Sequence, residues 1–127
     1  MAIPDDRRYH REHTWAKVDG DTARIGITAF AQEQLGEIIF VDLPKAGERI
    51  TKDTPFGTVE SAKTVSDLYA PLSGTVSLVN ERLNDELEAI NESPYEDGWM
   101  IVVTLDDPNE AASLLSADEY EQEIADA

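Results

Sequence analysis

The sequence contains no cysteine, and this absence excludes several kinds of protein. Without thiols the chain can form no disulfide framework, no zinc–thiolate site and no thiol-based catalytic centre. Any redox chemistry of sulfur must therefore enter on a prosthetic group. Residues 1–11 also lack the apolar segment of a signal peptide, and no apolar run approaches the roughly 20 residues of a membrane span. We therefore expect a cytoplasmic protein without a membrane partner.

Basic residues are scarce as well, since Lys and Arg number 10 against 27 Asp and Glu and the net charge is −17. Nucleic-acid binding requires a positive surface that displaces counterions, so we expect no nucleic-acid partner. The acidic residues are spread along the chain instead of forming one tail. This distribution favours adaptation of the protein to a high-salt host over electrostatic steering of positively charged partners.

The remaining composition is that of a globular protein, with 127 residues of which 41% are hydrophobic. This length predicts one domain over residues 1–127, with a core large enough to need no crosslinks. Asp19-Gly20 predicts a tight turn between strands at 15–18 and 22–27. Thr28 is expected to cap a helix over 29–35 that ends at Gly36.

The later part of the chain alternates apolar and polar residues in short runs. We predict strands over 37–43, 74–80 and 99–105, the first of them buried on both faces, and a single helical turn within 84–91. Two C-terminal helices are expected, one capped by Asp107 with Pro108 at its first position and one beginning with a capping box. The first of these helices is expected to run through Ala111, Leu114 and Leu115. The second begins with the capping-box residues Ser116 and Glu119, and Tyr120 and Ile124 form its apolar side. In the core we expect Trp15, Phe40, Trp99 and Met100.

A strand–turn–strand pattern surrounds Lys63, one of only four lysines in the chain. The runs 55–61 and 64–70 carry β-branched and aromatic residues at short intervals, and Pro71 ends the second run. If the two runs pair as a hairpin, Ala62-Lys63 forms the turn and the amine extends into solvent. An isolated amine at a hairpin tip is suited to covalent modification, and a group attached there can swing.

In the segment around this lysine, Glu60-Ser61-Ala62-Lys63 is followed by Ser66-Asp67 and then by Ala70-Pro71-Leu72-Ser73-Gly74. These residues resemble a lipoyl-attachment site, and more narrowly the glycine cleavage H-protein family. The similarity covers roughly residues 9–105. Its other matching segments are Gly26-Ile27-Thr28, Ala31-Gln32, Leu35-Gly36-Glu37-Ile38, Val41-Asp42-Leu43-Pro44, Gly47, Asn91, Ser93-Pro94-Tyr95 and Gly98-Trp99.

The resemblance implies a mainly β fold, a barrel-sandwich hybrid of two small sheets with peripheral short helices and a C-terminal helix. The lipoyl-binding core would span about 22–105 and the C-terminal helical segment about 107–125. Lipoate would be attached covalently to Lys63 at the hairpin tip. Because the chain has no cysteine, this group would supply its only reactive sulfurs.

The resemblance also implies a carrier that is not itself an enzyme and has no catalytic or metal-binding residue. Its lipoyl arm would take an aminomethyl group from glycine decarboxylase (the P protein) and deliver it to the aminomethyltransferase (the T protein). Dihydrolipoamide dehydrogenase (the L protein) would then reoxidise the arm. A lipoate ligase, or a lipoyl synthase and transferase, would attach the cofactor.

One position departs from the family pattern, in which a glutamate usually stands where this chain has Thr14. That glutamate belongs to the cleft that shelters the loaded, amine-bearing arm, together with an aspartate that matches Asp67. Residues two apart in a strand share a face, so we expect Glu12 to replace it. His13, between the two positions, is expected at the edge of the cleft or in a packing role, although its spacing from His10 also suits a metal site or a base.

Several alternatives remain open at this point. Biotin carriers have a similar fold, but they place methionine on both sides of the lysine, where this chain has Ala62 and Thr64. Glu60, Ser61 and Asp67 are interpreted as residues for recognition by the ligase and partners, in preference to acid–base catalysis. The alternative functions are a relay that donates lipoate to other carriers and an unmodified interaction module of the same fold.

Overall fold

The computed structural model describes residues 3–125, and nine strands dominate this part of the chain. Their bounds are β1 Arg8–Tyr9, β2 Thr14–Asp19, β3 Thr22–Ile27, β4 Ile38–Asp42, β5 Arg49–Ile50, β6 Pro55–Ser61, β7 Val65–Tyr69, β8 Gly74–Val79 and β9 Ile101–Leu105. The first sheet has the order β1-β2-β3-β9-β8-β5, and the second has the order β4-β6-β7. Neighbouring strands are antiparallel throughout both sheets.

Short helices occupy the connections and the C-terminal part of the chain. They are α1 Ala29–Leu35, α2 Glu88–Glu92 and α3 Ala117–Ala125, with 3-10 turns over Glu81–Asn84 and Pro108–Ser113. Within residues 3–125, no helix has both the length and the hydropathy that a membrane span requires. The expected fold class is therefore confirmed: mainly β, with two sheets and peripheral helices, although the two sheets do not close into a barrel.

The main core lies between the two sheets. Both sheets contribute buried aliphatic side chains to it, among them Ile25, Val76 and Ile101 from the first sheet and Val59 and Leu68 from the second. Burial of aliphatic side chains of this kind contributes roughly 1.5–3 kcal/mol each. The first sheet begins at Arg8, whereas the resemblance placed the start of the lipoyl-binding segment at about residue 22.

The local turn and cap signals are confirmed. Gly20 has φ 65°, as the first central residue of the two-residue loop between β2 and β3 requires. Thr28 caps α1, since its Oγ1 accepts a hydrogen bond from the Ala31 N–H at 3.2 Å. Gly36 ends the helix with φ 79°, and its N–H donates to the Gln32 carbonyl.

Strand β4 departs from the prediction that it is buried on both faces. Phe40, expected in the core, is 55% exposed, and Ile39 is also exposed. Only one face of the three-stranded sheet meets the core, and an irregularity in the pairing of β4 with β6 between Ile38 and Phe40 coincides with the two successive exposed side chains. Trp15 and Met100 are buried as expected, and Trp99 packs against a second apolar cluster.

The C-terminal segment returns to the first strand of the chain. Asp107 caps the turn at Pro108, but that turn is a 3-10 helix ending at Ser113, short of the predicted Leu114 and Leu115. Leu115 instead exchanges two backbone hydrogen bonds with Tyr9. The capping box at the start of α3 is confirmed by the hydrogen bonds between Ser116 and Glu119.

A second, smaller apolar cluster lies under α3. Tyr9, Trp15 and Tyr120 are fully buried in it, and Ile124 packs against it. The rings of Tyr9 and Tyr120 stack with centroids 4.8 Å apart. The C-terminal helix is thereby fixed to the start of the first sheet.

Candidate functional site

The predicted hairpin is present, and Lys63 lies at its tip. Strands β6 and β7 pair up to Glu60 and Val65, and the Ser61 N–H donates to the Thr64 carbonyl at 2.8 Å across the Ala62-Lys63 turn. Ser61 Oγ accepts hydrogen bonds from the backbone N–H groups of Lys63 and Thr64, at 3.3 and 3.1 Å. Ser61 is only 4% exposed, so it shapes the turn from inside and presents little surface to a partner.

The side chain of Lys63 is exposed and lies over the end of α1. A Cβ atom built on Gly36 would be 3.6 Å from Lys63 Cε, so the absence of a side chain at Gly36 leaves room for the lysine. Lys17 pairs with Asp6 and Lys52 pairs with Asp53. Within residues 3–125 the Lys63 ammonium takes part in no such ion pair.

A cleft of about 280 Å³ opens beside α1, and its lining includes Leu35, the neighbour of Gly36. Three parts of the chain form it: the loop before β2, the inner side of α1, and the β6–β7 hairpin. Its lining residues are Glu12, His13, Thr14, Ile27, Phe30, Ala31, Gln34, Leu35, Val59, Ser66, Asp67 and Leu68. The cleft therefore combines apolar walls with two carboxylates, and it brings together three of the predicted site residues: Glu12, His13 and Asp67.

Glu12 lines the cleft as predicted, but the reason given for it is wrong. Strand β2 begins only at Thr14, and His13 has φ 71°, so the alternation of strand residues does not extend back to Glu12. Thr14 is buried, and its Oγ1 donates to the Tyr69 carbonyl at 2.8 Å. A tight loop, and not a shared strand face, brings Glu12 to the rim.

His10 fixes this loop through both ring nitrogens. Its Nδ1 accepts from the Glu12 N–H at 3.0 Å, and its Nε2 lies 2.7 Å from an oxygen of Asp53. Since Nδ1 is the acceptor, the Nε2–H donates to the carboxylate. These two contacts give His10 a role in the geometry of the loop. Among residues 3–125 no group of three or more His, Asp and Glu side chains is arranged to hold a metal ion.

His13 is held by the C-terminal helix. Its Nδ1 lies 2.8 Å from the Tyr120 hydroxyl, which is also 2.7 Å from the Oγ1 of Thr28, the cap of α1. The His13 ring packs against Phe30, with centroids 4.7 Å apart. Burial lowers the pKa of His13 below its ordinary value, while the Glu12 carboxylate acts in the opposite direction.

The helix α1, which forms one wall of the cleft, is held at both ends by residues of α2 and the segment that follows α2. At its start, the Tyr95 hydroxyl accepts from the Ala29 N–H at 3.0 Å. At its end, Asn91 Nδ2 donates to the Gly36 carbonyl at 2.8 Å, and Asn91 Oδ1 accepts from the Ile38 N–H at 3.0 Å. Asn91 and Tyr95, which were noted only as part of the resemblance, therefore position α1 against the hairpin.

Glu60 points away from the cleft. It lies opposite Phe40 on one side and Val65 on the other, in a row on the outer face of the second sheet. Its neighbour Val59 is buried and lines the cleft. The hairpin thus separates the predicted recognition residue Glu60 from the cleft.

Comparison with known proteins gives consistent matches along nearly the whole chain. The family model described as glycine cleavage H-protein matches residues 7–127. The glycine cleavage system H protein of Bacillus subtilis is 58% identical over 122 residues, covering 96% of each chain. The protein of the same name from Anoxybacillus flavithermus is 56% identical over 124 residues, covering 98% of each chain.

A solved structure extends the similarity to the fold. The crystal structure of a glycine cleavage system H protein from Mycobacterium marinum superposes with a TM-score of 0.89 at 40% sequence identity. The match covers 97% of this chain and 99% of that one. Fold, sequence and the hairpin with its exposed lysine agree, and the chain belongs to the glycine cleavage H-protein family.

Proposed function

We propose that this chain carries a lipoyl group on Lys63 and serves as the mobile carrier of the glycine cleavage system, without catalysing a reaction itself. Members of its family carry covalent lipoate, and their system includes the P, T and L proteins. The observation that carries the assignment is the position of Lys63, an exposed amine at the tip of the β6–β7 hairpin. Residues 1–127 act as one carrier unit in this proposal.

The residues of the chain present, hold and shelter the arm. Ser61 holds the turn so that Lys63 Nζ is accessible to a lipoate ligase or lipoyl transferase. When bound, the lipoyl group supplies a disulfide that accepts two electrons and a one-carbon amine unit, chemistry that the cysteine-free chain cannot provide. Lys63 then delivers the arm in turn to glycine decarboxylase, the aminomethyltransferase and dihydrolipoamide dehydrogenase.

The cleft suits an arm that ends in an ammonium group. Glu12 and Asp67 place two carboxylates at its rim, and Phe30, Leu35 and Leu68 provide apolar walls that limit access of water. A hydrogen bond to a charged group of this kind contributes about 1.5–3 kcal/mol. Retention of the loaded arm in the cleft would protect the aminomethyl group until a partner removes it.

Mass spectrometry of protein purified from its own host tests the attachment. Trypsin cleaves an unmodified chain after Lys52, Lys63 and Arg82. The proposal predicts an uncut peptide over 53–82 that carries the mass of a lipoyl group. A biotin mass on this peptide, or clean cleavage after Lys63, would contradict the proposal.

Glycine–bicarbonate exchange with the cognate decarboxylase separates a carrier from a lipoate relay. The lipoylated protein is expected to support exchange, and Lys63→Arg is expected to abolish it. Lys45→Arg is the matched control, since Lys45 is also a surface lysine but lies away from the hairpin tip. A lipoylated protein without exchange activity would favour the relay.

A further inference from the structure

Asp53 lies in the loop between β5 and β6 and does not line the cleft. Its φ is 69°, in the region that glycine, asparagine and aspartate enter most readily. The Asp53 N–H donates to the Ala70 carbonyl at 2.9 Å, and the Ala70 N–H donates to the Thr54 carbonyl, also at 2.9 Å. These two hydrogen bonds attach the loop to the residue that follows β7, the strand that carries Asp67.

The Asp53 carboxylate selects one tautomer of the His10 ring. Its Oδ1 lies 2.7 Å from His10 Nε2, and because a carboxylate can only accept, the proton of the neutral imidazole resides on Nε2. Nδ1 is then free to accept from the Glu12 N–H at 3.0 Å. In the other tautomer Nδ1 would carry the proton and would meet the Glu12 N–H as a second donor. The loop geometry at Glu12 is therefore matched to the tautomer that Asp53 selects.

The bond to the His10 ring is the hydrogen bond that the Glu12 main chain contributes to the loop before β2. Other backbone bonds of this loop join the neighbours of Glu12. The His10 N–H donates to the Thr14 carbonyl at 2.8 Å, and the His13 N–H donates to the His10 carbonyl at 2.9 Å. Glu12 itself is exposed. Its place at the rim of the cleft consequently depends on the orientation and the tautomer of the His10 ring.

We propose that Asp53 is a positioning residue for retention of the loaded arm and that it acts through His10 on Glu12. This inference rests on the proposed function. Asp67 belongs to β7 itself. Through His10 and Asp53, Glu12 is connected to the end of the same strand, so the distance between the two rim carboxylates is set from one strand. An ammonium group that contacts both carboxylates needs each of them at hydrogen-bond distance, and it loses one contact when the loop moves at Glu12.

The tautomer of His10 is the first measurement, because it does not depend on the lipoyl group. Long-range proton–nitrogen NMR correlation spectra of the full-length protein in mildly alkaline buffer report which ring nitrogen carries the proton. We expect the proton on Nε2 in the unsubstituted protein and in Asp53→Asn, whose amide oxygen can still accept, and a mixture of tautomers in Asp53→Gly. Asparagine and glycine both tolerate the positive φ at this position, so the fold is expected to be kept. A proton on Nδ1 in the unsubstituted protein, or the same tautomer in all three proteins, would overturn the proposal.

Retention is measured by the release of ammonia from isolated, lipoylated and aminomethyl-loaded protein. Asp53→Gly is expected to shorten the lifetime about five-fold, and Asp53→Asn less than two-fold, since a misplaced carboxylate loses part of a charge-assisted contact. Lys52→Gln is the matched control, because it removes the ion pair of Lys52 with Asp53 and leaves the contact of Asp53 with His10 in place. Its lifetime is expected to equal that of the unsubstituted protein. A normal lifetime in Asp53→Gly would overturn the proposal, as would a loss of the same size in Lys52→Gln or Asp53→Asn.

A double-mutant cycle with Glu12→Gln separates positioning from a general loss of structure. In Glu12→Gln the carboxylate that Asp53 would position is already absent. Addition of Asp53→Gly is therefore expected to shorten the lifetime by less than a further two-fold. A full five-fold loss in the Glu12→Gln background would mean that Asp53 does not act through Glu12, and it would overturn the proposal.

Failure of this inference is distinguishable from failure of the proposed function. If the unsubstituted protein carries lipoate and supports exchange but Asp53→Gly retains the aminomethyl group normally, only the positioning role is wrong. A normal lifetime of Glu12→Gln would also overturn the positioning role, since Glu12 would then hold nothing. If the unsubstituted protein carries no lipoyl group on Lys63, the proposed function is wrong and the positioning role with it.

Discussion

At the tip of the β6–β7 hairpin, a buried hydroxyl organises the turn that presents Lys63. Replacement of Ser61 by Ala removes the acceptor for two backbone N–H groups, those of Lys63 and Thr64. Loss of a net contribution of about 1 kcal/mol per hydrogen bond is expected to lower the kcat/KM of lipoylation by about five-fold or more. Ser77→Ala, which removes an exposed hydroxyl on β8, is the control and is expected to be lipoylated normally. Equal rates for the two variants in a ligase assay would contradict this role.

The two carboxylates at the rim of the cleft have a separate effect on the loaded arm. Glu12→Gln and Asp67→Asn are each expected to shorten the lifetime of the isolated, loaded protein about ten-fold, because each removes a charge-assisted contact with the ammonium group. Release of ammonia over time is the measurement. Glu33→Gln changes the charge equally on the exposed side of α1 and is expected to leave the lifetime unchanged. If Glu33→Gln had the same effect, the net charge of the protein and not the cleft would be responsible.

His13 couples the cleft to pH. Burial lowers its pKa from the ordinary value of 6.5, so the unfolded chain binds a proton more readily than the folded protein. The associated stability is fully present above the ordinary pKa and is lost as pH falls through it toward the folded value. We expect the free energy of unfolding, measured with urea, to decline between about pH 7.5 and about pH 5.5, above the range in which carboxylates titrate.

The variant His13→Asn isolates this contribution. Asn tolerates the positive φ at position 13, and its side-chain amide can donate or accept a hydrogen bond where Nδ1 contacts the Tyr120 hydroxyl. We expect a smaller decline in His13→Asn than in the unsubstituted protein. An equal decline in the two proteins would assign the pH dependence to other groups.

The site was partly predictable because its central signals are local. The Ala62-Lys63 turn follows from two adjacent strand-like runs, so the position of Lys63 is available from sequence. Glu12 was assigned to the cleft from strand alternation, whereas its position depends on the positive φ of His13 and on the contact between His10 and Asp53, residues 43 positions apart. No pattern near Tyr120 indicates that its hydroxyl reaches His13.

At the scale of elements, α3 acts as a clamp on the cleft. Tyr120→Phe keeps the ring stacked on Tyr9 but removes the hydroxyl that contacts His13 and Thr28. Buried groups left without a partner cost about 1–3 kcal/mol, and we expect a loss of stability of this size. Hydrogen exchange is expected to accelerate in the loop before β2 and at the start of α1.

Tyr69→Phe is the control for this variant. Tyr69 is partly buried and its ring lies beside His10, but its hydroxyl is not part of the network around Tyr120. We expect little change in stability or in exchange at α1. Acceleration at α1 of the same size in both variants would contradict the assignment to α3.

The elements were predicted correctly where short-range rules set their bounds. They were predicted wrongly where contacts between distant parts of the chain set the bounds or the exposure of an element. Helix α1 and the loop at Gly20 follow from cap and turn residues a few positions apart. The exposure of Phe40 depends on which face of the three-stranded sheet meets the core and on the irregular pairing of β4 with β6, and the sequence of β4 alone encodes neither. The turn at Pro108 ends early because Leu115 pairs with Tyr9, a contact made across the chain.

Over the whole molecule, the net charge of −17 sets how the fold responds to salt. Repulsion between like charges is strongest in dilute buffer and is screened as the Debye length falls from about 10 Å at 0.1 M to about 3 Å at 1 M salt. The exposed ion pairs that salt weakens, such as Arg49 with Asp106, contribute little. We therefore expect Tm to rise as KCl is raised through this range.

Differential scanning calorimetry at neutral pH measures this effect. KCl is preferred to sulfate, which stabilises proteins by preferential exclusion whatever their charge. A Tm that stays constant or falls would contradict salt adaptation.

The clamp formed by α3 has a consequence for the order in which the protein matures on the ribosome. The hairpin that carries Lys63 ends at Tyr69, whereas β3 pairs with β9 and His13 contacts Tyr120, and both of these partners are translated later than the hairpin. A nascent or prematurely terminated chain would thus expose Lys63 before the cleft that holds the loaded arm has formed. If such a chain were acylated, it would accept an aminomethyl group and lose it, so we expect the packing of α3 against His13 to be the step that matches loading to retention.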